Sequence, residues 1–297
     1  MAVYNQIFQM LDIPMLIISE LDGKQRCEDA NDAFLRMTGY SLADLQSDSV
    51  QQKLQSYQID LTQAAVKSEV SLNSKQNRKV PVRVDVQPIP SPDPSGPKRM
   101  FVQFEDLTSY KWMLQQYERN KVLLSGVVDR NQHIRLYRDG GAHMLFSPDH
   151  MLKDETVKHF IAEQDQMKFN AILEETLMAK QEQSFTLTTS KLSGAELELS
   201  ITVSPTLDGY GNVKEFVFVI WDLKSVDEHI SAAMKLKIWM ARRDVTAGHL
   251  SASTGISIQT ISKLRNGKID KPQRLTAELI ASELQINVHD IWPEIRK

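Results

Sequence analysis

One cysteine in 297 residues, Cys27, excludes an intrachain disulfide framework. Its neighbours read as a strand, and inert packing is expected there, because a reactive thiol needs an electropositive, accessible setting. No apolar run approaches the ~20 residues that cross a bilayer, so no membrane span is expected. The opening MAVYNQIFQMLDIP lacks a basic n-region and a cleavable apolar core. No signal peptide is read there, and a cytoplasmic location is the expectation. Neither a Walker A loop nor a Gly-x-Ser-x-Gly elbow occurs. Glu174 and Glu175 sit on a helix that alternates with apolar residues and read as solvated charges. His133, His143, His150 and His229 have no metal-ligand spacing with cysteine or acidic partners. The sequence therefore predicts no catalytic residues, no metal site and no enzyme activity.

What is present is an ordinary soluble composition, 41% hydrophobic and 25% charged. The length allows two or three domains, each able to bury a core. The charge is uneven. Residues 1–230 carry 24 Lys and Arg against 32 Asp and Glu, a balance of −8. Residues 231–297 carry 11 against 6, a balance of +5. A basic tail on an acidic body suits a phosphate-binding module.

Two segments follow one plan. In the first, Met15–Ile18 is an apolar strand, Leu21-Asp22-Gly23 a turn, and Arg26–Glu28 lies near a second strand. Asn31 or Asp32 then caps a short helix with Phe34, Leu35 and Met37 as its apolar residues. Thr38-Gly39-Tyr40 ends it, and Ser41 caps the next turn. Glu69–Leu72, Val80–Val86 and Met100–Phe104 read as strands, with Val80, Val82, Val84 and Val86 in period-2 alternation. The prolines of Pro88–Lys98 are expected to bar strand structure there. In the second segment, Gly126–Val128 and Ile134–Tyr137 are strands around Arg130-Asn131. Thr156–Ile161 and Gln166–Met178 read as helical. Phe185–Thr189, Leu197–Val203 and Phe216–Trp221 are strands, the last two joined by PTLDGYGN. Both segments end alike, in MFVQFEDLTSYKWML and EFVFVIWDLKSVDEHI.

This order, with Asn31-Asp32-Ala33-Phe34, Thr38-Gly39-Tyr40 and Glu105-Asp106-Leu107-Thr108, resembles the PAS domain family. The second copy departs from the family, with Asp139-Gly140-Gly141 in place of the Asn-x-Ala-Phe element and no Thr-Gly-Tyr. The resemblance implies a curved antiparallel five-stranded sheet cupping small helices, in a domain of a kind that dimerises and senses small molecules, redox state or partner proteins. The cysteine of the light-sensing flavin subclass has no counterpart in SLADLQSDSVQQKLQ. Haem would need an axial ligand, for which His159 is the one candidate; a lone histidine on an amphipathic helix is more often a surface or core residue. No cofactor is evident, and a small ligand in a PAS pocket stays open.

From Ser231 the pattern is helical. Leu236, Trp239 and Met240 give one apolar face, and Arg242-Arg243-Asp244 ends the helix. Thr246 caps AGHLSAST, whose core residue is Leu250. Gly255 suits a tight turn. Ser257 caps a helix in which Ile261 and Leu264 face in and Ile258 faces out or to the edge. Asn266-Gly267 ends it; Glu278–Leu284 and Val288–Trp292 follow as helices. Leu279, Ile280 and Leu284 join the expected core. Two short helices around a glycine turn, the second polar outward, make a helix-turn-helix. The run resembles the Cro/Xre-type phage-repressor family in Thr254-Gly255-Ile256-Ser257 and in Thr260-Ile261-Ser262-Lys263-Leu264 with Asn266-Gly267-Lys268. The family's usual glutamine after the capping threonine is Ala247 here, and Gly248 weakens that helix by up to ~1 kcal/mol.

Such a second helix enters a major groove ~12 Å wide and offers hydrogen bonds to base edges. Ser257, Ile258, Gln259, Thr260, Ser262 and Lys263 form the expected reading face. Gln259 can pair with adenine, Lys263 can reach guanine, and Thr260 and Ile258 can touch a thymine methyl. The resemblance implies phosphate contacts from Asn266, Gly267, Lys268 and Lys271. The expected architecture is α+β: a PAS domain at 1–108, a linker helix at 109–121, a second PAS-like domain at 122–224, and a linker helix with the helix-turn-helix at 225–297. The expected function is a homodimeric transcriptional regulator that binds double-stranded DNA. The alternative is a scaffold whose PAS domains bind a protein partner and whose helical tail regulates that partner.

Overall fold

The computed structural model describes residues 2–21, 24–49, 68–90, 96–139, 155–190, 195–227 and 229–295. The Asp22-Gly23 turn, the Gly140-Gly141 pair, His143 and His150 lie outside the described residues. The fold is α+β, two antiparallel five-stranded sheets with helices followed by a helical region. The chain divides into two compact units, 1–112 with 206–214, and 113–205 with 215–297.

The first unit opens with α1 (Ala2–Met10), a helix that has no strong marker in the sequence. The sheet strands are β1 (Met15–Leu21), β2 (Lys24–Ala30), β3 (Ser68–Asn73), β4 (Lys79–Ile89) and β5 (Lys98–Asp106). Their order is β2-β1-β5-β4-β3. Val80, Val82, Val84 and Val86 all point into the core, as their alternation predicts. Each contributes about 1.5–3 kcal/mol of transfer free energy on full burial. Phe34 and Phe104 meet in the same core with ring centroids 4.9 Å apart.

The prolines do not stop β4. Pro88 pairs with Met100 of β5 and Ile89 with Arg99. Among the described residues, pairing with β3 reaches no further than Val84, and on a side of β4 without a described partner a missing N–H breaks no described ladder bond.

Asn31, not Asp32, caps α2 (Asp32–Thr38). Its carboxamide is fully buried and answers four backbone groups. Oδ1 accepts from Phe34 N at 3.0 Å and Met15 N at 2.9 Å. Nδ2 donates to Leu11 O at 3.2 Å and Ile13 O at 2.7 Å. Only a side chain with both acceptor and donors can do this, which excludes aspartate. Gly39 ends α2 at φ +77°, a left-handed position that glycine adopts without strain. Ser41 then closes a reciprocal cap with Asp44 on α3 (Leu42–Leu45). Cys27 is buried, and burial, with Asp29 and Glu28 nearby, pushes its thiol up to about 12. It is a packing residue.

After α4 (Thr108–Arg119) the second sheet repeats the first. Its strands are β6 (Leu124–Asp129), β7 (Ile134–Asp139), β8 (Gln183–Thr188), β9 (Leu197–Leu207) and β10 (Val213–Ser225), in the order β7-β6-β10-β9-β8. The irregularity at Ile17/Ile18 between the first two strands of sheet one recurs at Val127/Val128 in sheet two. Between β7 and β8 lie a 3-10 turn (Val157–Phe160) and α5 (Glu163–Ala179). The predicted helix over Thr156–Ile161 is thus a single tight turn. Both its flanks are held by bridges, His133 to Thr156 and Ile161 to Thr189, which leave no room for a longer helix.

The helical region comprises α6 (Ala232–Arg243), α7 (Ala247–Thr254), α8 (Ile258–Arg265), α9 (Arg274–Glu283) and a 3-10 turn (Val288–Asp290). Leu236, Met240, Leu250, Ile261, Leu264, Ile280 and Leu284 form its core with Ala277 and Trp292. Leu279, expected inside, is exposed. The seam of α9 runs instead through Ala277, Ile280, Ala281 and Leu284, the 3- and 4-residue spacing of one helix face. Helix α6 is buried on two sides. Leu236 and Met240 enter the helical core, whereas Met234, Ile238 and Ala241 pack with Leu123, Leu197 and Leu223 of the second sheet domain.

Candidate nucleic-acid interface

The local chemistry of α7 and α8 is that of two capped helices around a fixed turn. Thr246 Oγ1 accepts from His249 N at 3.1 Å, which starts α7. Gly255 ends it in the left-handed region at φ +70°. Two residues later Ser257 Oγ accepts from Thr260 N at 3.2 Å and starts α8. Each cap satisfies a backbone N–H that would otherwise point at solvent, worth about 1 kcal/mol. Ile261 and Leu264 anchor the inner face of α8 with almost no exposed surface. The outer face is thereby fixed in direction.

Ser257, Ile258, Gln259, Ser262, Lys263, Asn266, Gly267 and Lys268 are all exposed. The side chains of Gln259, Lys263 and Lys268 have no hydrogen-bond or ion-pair partner among the described residues, so they are presented rather than consumed. Thr260 is half-buried and its hydroxyl lies 2.9 Å from that of Ser257. Both hydroxyls therefore serve the helix start. Asn266 Nδ2 donates to Ser262 Oγ at 3.4 Å. Gly267 stands at φ +66°, which fixes the turn after α8. Lys271 is tied to Glu294, whose carboxylate holds the ammonium above its ordinary range. Both partners are well exposed, so the pair is weak and can exchange.

Two further cations stand beside this face, and neither belongs to the reading face expected from the sequence. Arg265, at the C-terminal end of α8, has a buried Nε with no partner. Burial lowers its pKa. Burial, and then the charge of Arg265, lowers that of Lys237 on α6. No acidic group offsets either one among the described residues. Their only signal in the sequence is the positive balance of the tail, because the packing of α6 on α8 is what brings them together. The two arginines of α6 are committed. Arg242 grips Asp222 with Nε at 2.8 Å and Nη2 at 2.9 Å and stacks over Trp239. Arg243 donates to Gln285 O.

His159 does not sit in a pocket. It lies on the 3-10 turn with its side chain 71% exposed and Nδ1 at 3.1 Å from Glu155. Among the described residues no group of His, Cys, Asp and Glu could hold a metal ion, and no helix is long and apolar enough to cross a membrane.

Residues 2–69 match the model of the PAS domain, and residues 235–292 match that of the Cro/C1-type helix-turn-helix DNA-binding domain. The protein is thus of a modular class, with a PAS domain at the N-terminus and a Cro/C1-type DNA-binding domain at the C-terminus. No curated protein matches the chain. Among solved structures, one similar chain is an RNA-binding light-oxygen-voltage receptor, at 15% identity and a TM-score of 0.32, covering 40% of this chain and 36% of that one. The chain thus spans little more than a third of that receptor. Another is the PAS domain of a protein from Desulfitobacterium hafniense, at 17% identity and a TM-score of 0.29, covering 34% of this chain and 99% of that one.

Proposed function

We propose that this protein is a sequence-specific, DNA-binding transcriptional regulator whose PAS domains sense a signal, dimerise, or both. The observation that carries the reading is the outer face of α8, where Gln259 and Lys263 stand exposed, without side-chain partners among the described residues, on a helix fixed by Ile261 and Leu264. An α-helix with its side chains is ~10–12 Å across, which fits a major groove ~12 Å wide. Gln259 reads adenine, Lys263 guanine, and Ile258 with the Thr260 methyl a thymine methyl. Asn266, the Gly267 turn, Lys268 and Lys271 meet the phosphates, and Lys237 with Arg265 supplies a further phosphate contact. The domains run 1–108, 109–121, 122–224 and 225–297.

The regulator acts as a homodimer. One helix-turn-helix covers a half-site, and two modules one helical turn apart read a palindrome. The exposed stripe Val3, Tyr4, Ile7 and Met10 on α1 is an apolar face that a second copy covers. Its spacing of three and four residues aligns it along one side of the helix.

Duplexes selected from a random pool by the full chain, then titrated with salt beside scrambled duplexes, test the reading. A ratio of affinities above 1,000 and a steep salt slope are expected. Equal affinity for both duplexes refutes sequence-specific binding.

A further inference from the structure

The first unit takes in residues 206–214, the tip of the hairpin that joins β9 to β10. The carboxylate of Asp208 builds that tip, accepting from Tyr210 N at 2.9 Å and Asn212 N at 2.8 Å. Asp208 N donates to Asn212 O and Gly211 N to Asp208 O, so these four N–H groups are spent inside the turn. The N–H of Gly209 points outward instead and donates to Arg36 O at 2.6 Å.

Arg36 lies in the last turn of α2, where backbone carbonyls have no partner within the helix. Three donors answer them. Leu35 O accepts from Gly39 N, Thr38 O from Lys75 N, and Arg36 O from Gly209 N. The approach leaves no room for a side chain on either backbone. A Cβ on Gly209 would stand 2.0 Å from Gly39 N, and one on Gly39 would stand 2.2 Å from Gly209 O. Gly209 is outside the left-handed region, so it is the contact, not φ, that requires glycine there. Side chains fasten the rim. Gln76 Nε2 donates to Tyr210 O at 3.1 Å and Arg78 Nη2 to Asp208 O at 2.9 Å, across 134 and 130 residues of chain. Lys214 Nζ meets Asp106 Oδ2 at 3.1 Å, while Asp106 Oδ1 accepts from Thr108 N at the start of α4.

We propose that the end of α2, together with residues 74–78, is a docking surface for a side-chain-free turn, and that segment 206–214 of the same chain is its occupant. The first PAS domain is thus completed by a turn far along the sequence. Loop-closure entropy grows only with the logarithm of loop length, so the separation does not forbid this. Amide hydrogen exchange of the full chain, read residue by residue, is the test. The Gly209 amide is expected to exchange at least tenfold slower than in an unstructured chain, at a rate independent of protein concentration. Gly209→Ala is expected to speed exchange at Gly39 and Lys75 at least tenfold, while Val127 and Val219 of the second sheet stay unchanged. Tyr210→Ala is the control, since its side chain is exposed and it is its carbonyl that Gln76 holds; it should leave Gly39 and Lys75 as they are. Gln76→Ala with Arg78→Ala removes both rim bonds and serves if the Gly209 variant does not fold; it is expected to speed the Gly209 amide at least tenfold. A Gly209 amide that exchanges freely in the native chain overturns the docking, as does unchanged exchange at the named amides in whichever variant folds. An equal rise at Val127 and Val219, or the same rise in Tyr210→Ala, overturns the local contact as its cause. Exchange at Gly209 that slows as protein concentration rises assigns the surface to a second copy and overturns the same-chain occupant.

Discussion

Ile238→Ala separates a helix shared by two cores from a helix that merely begins the DNA-binding domain. Ile238 is 5% exposed and packs against the second sheet domain rather than the helical core. Truncating a buried isoleucine to alanine costs about 2–5 kcal/mol. Alanine returns about 0.4 kcal/mol as the better helix former. The full chain should therefore lose about 2–4 kcal/mol. In a fragment of residues 231–297 the partners Leu123, Leu197 and Leu223 are absent, and Ile238 is a surface residue. There the same substitution should be neutral or stabilising by a few tenths of a kcal/mol. Urea unfolding followed by tryptophan fluorescence reads both, since Trp221 lies on β10 and Trp239 and Trp292 in the helical region. At ~2 kcal/mol per M of urea the midpoint of the full chain should fall by about 1–2 M. A fragment that loses as much as the full chain, or a full chain that loses less than 1 kcal/mol, refutes the shared packing of α6.

Gln259→Ala should lose about 1–3 kcal/mol at the specific duplex and relax one base pair, whereas Lys268→Ala should weaken specific and scrambled duplexes alike and lower the salt slope by about one per module; affinity titrations on both duplexes decide. Ile7→Lys, which puts a charge in the exposed stripe of α1, should shift sedimentation equilibrium from dimer toward the 33.8 kDa monomer without lowering thermal stability. Asn31→Asp should cost about 2–4 kcal/mol at neutral pH, because a buried carboxylate would face Leu11 O and Ile13 O without a proton to donate. Those carbonyls raise the folded-state pKa, so stability is recovered as pH falls and is lost as pH rises through it; denaturation at pH 7 and pH 5 checks the sign. Gly248→Ala should stabilise α7 by about 0.5–1 kcal/mol, since a Cβ there meets nothing closer than Thr246 Oγ1 at 3.9 Å; a rise in melting temperature with unchanged DNA affinity is expected.

The signals that proved legible in the sequence are local ones. Period-2 alternation placed Val80, Val82, Val84 and Val86 on one buried face, because strand geometry permits no other arrangement once one side meets a core. Thr246, Gly255 and Ser257 marked the ends of α7 and α8, because a cap needs a short hydroxyl and a left-handed turn needs glycine. From these alone the outward face of α8 could be written down, Gln259 and Lys263 included. Tertiary structure decided what covers each apolar face. Periodicity says that Met234, Ile238 and Ala241 share one side of α6 with Leu236 and Met240 on another, but not that two different cores take them. It left Leu279 looking buried, because an apolar residue next to the seam has the same hydropathy as one in it. That β4 runs on through Pro88 shows only in its pairing with Met100 of β5. The four bonds of Asn31 and the proximity of Lys237 to Arg265 join residues distant in the chain. Their spacing along the sequence carries no trace of this, because only the packed fold sets the distances between them.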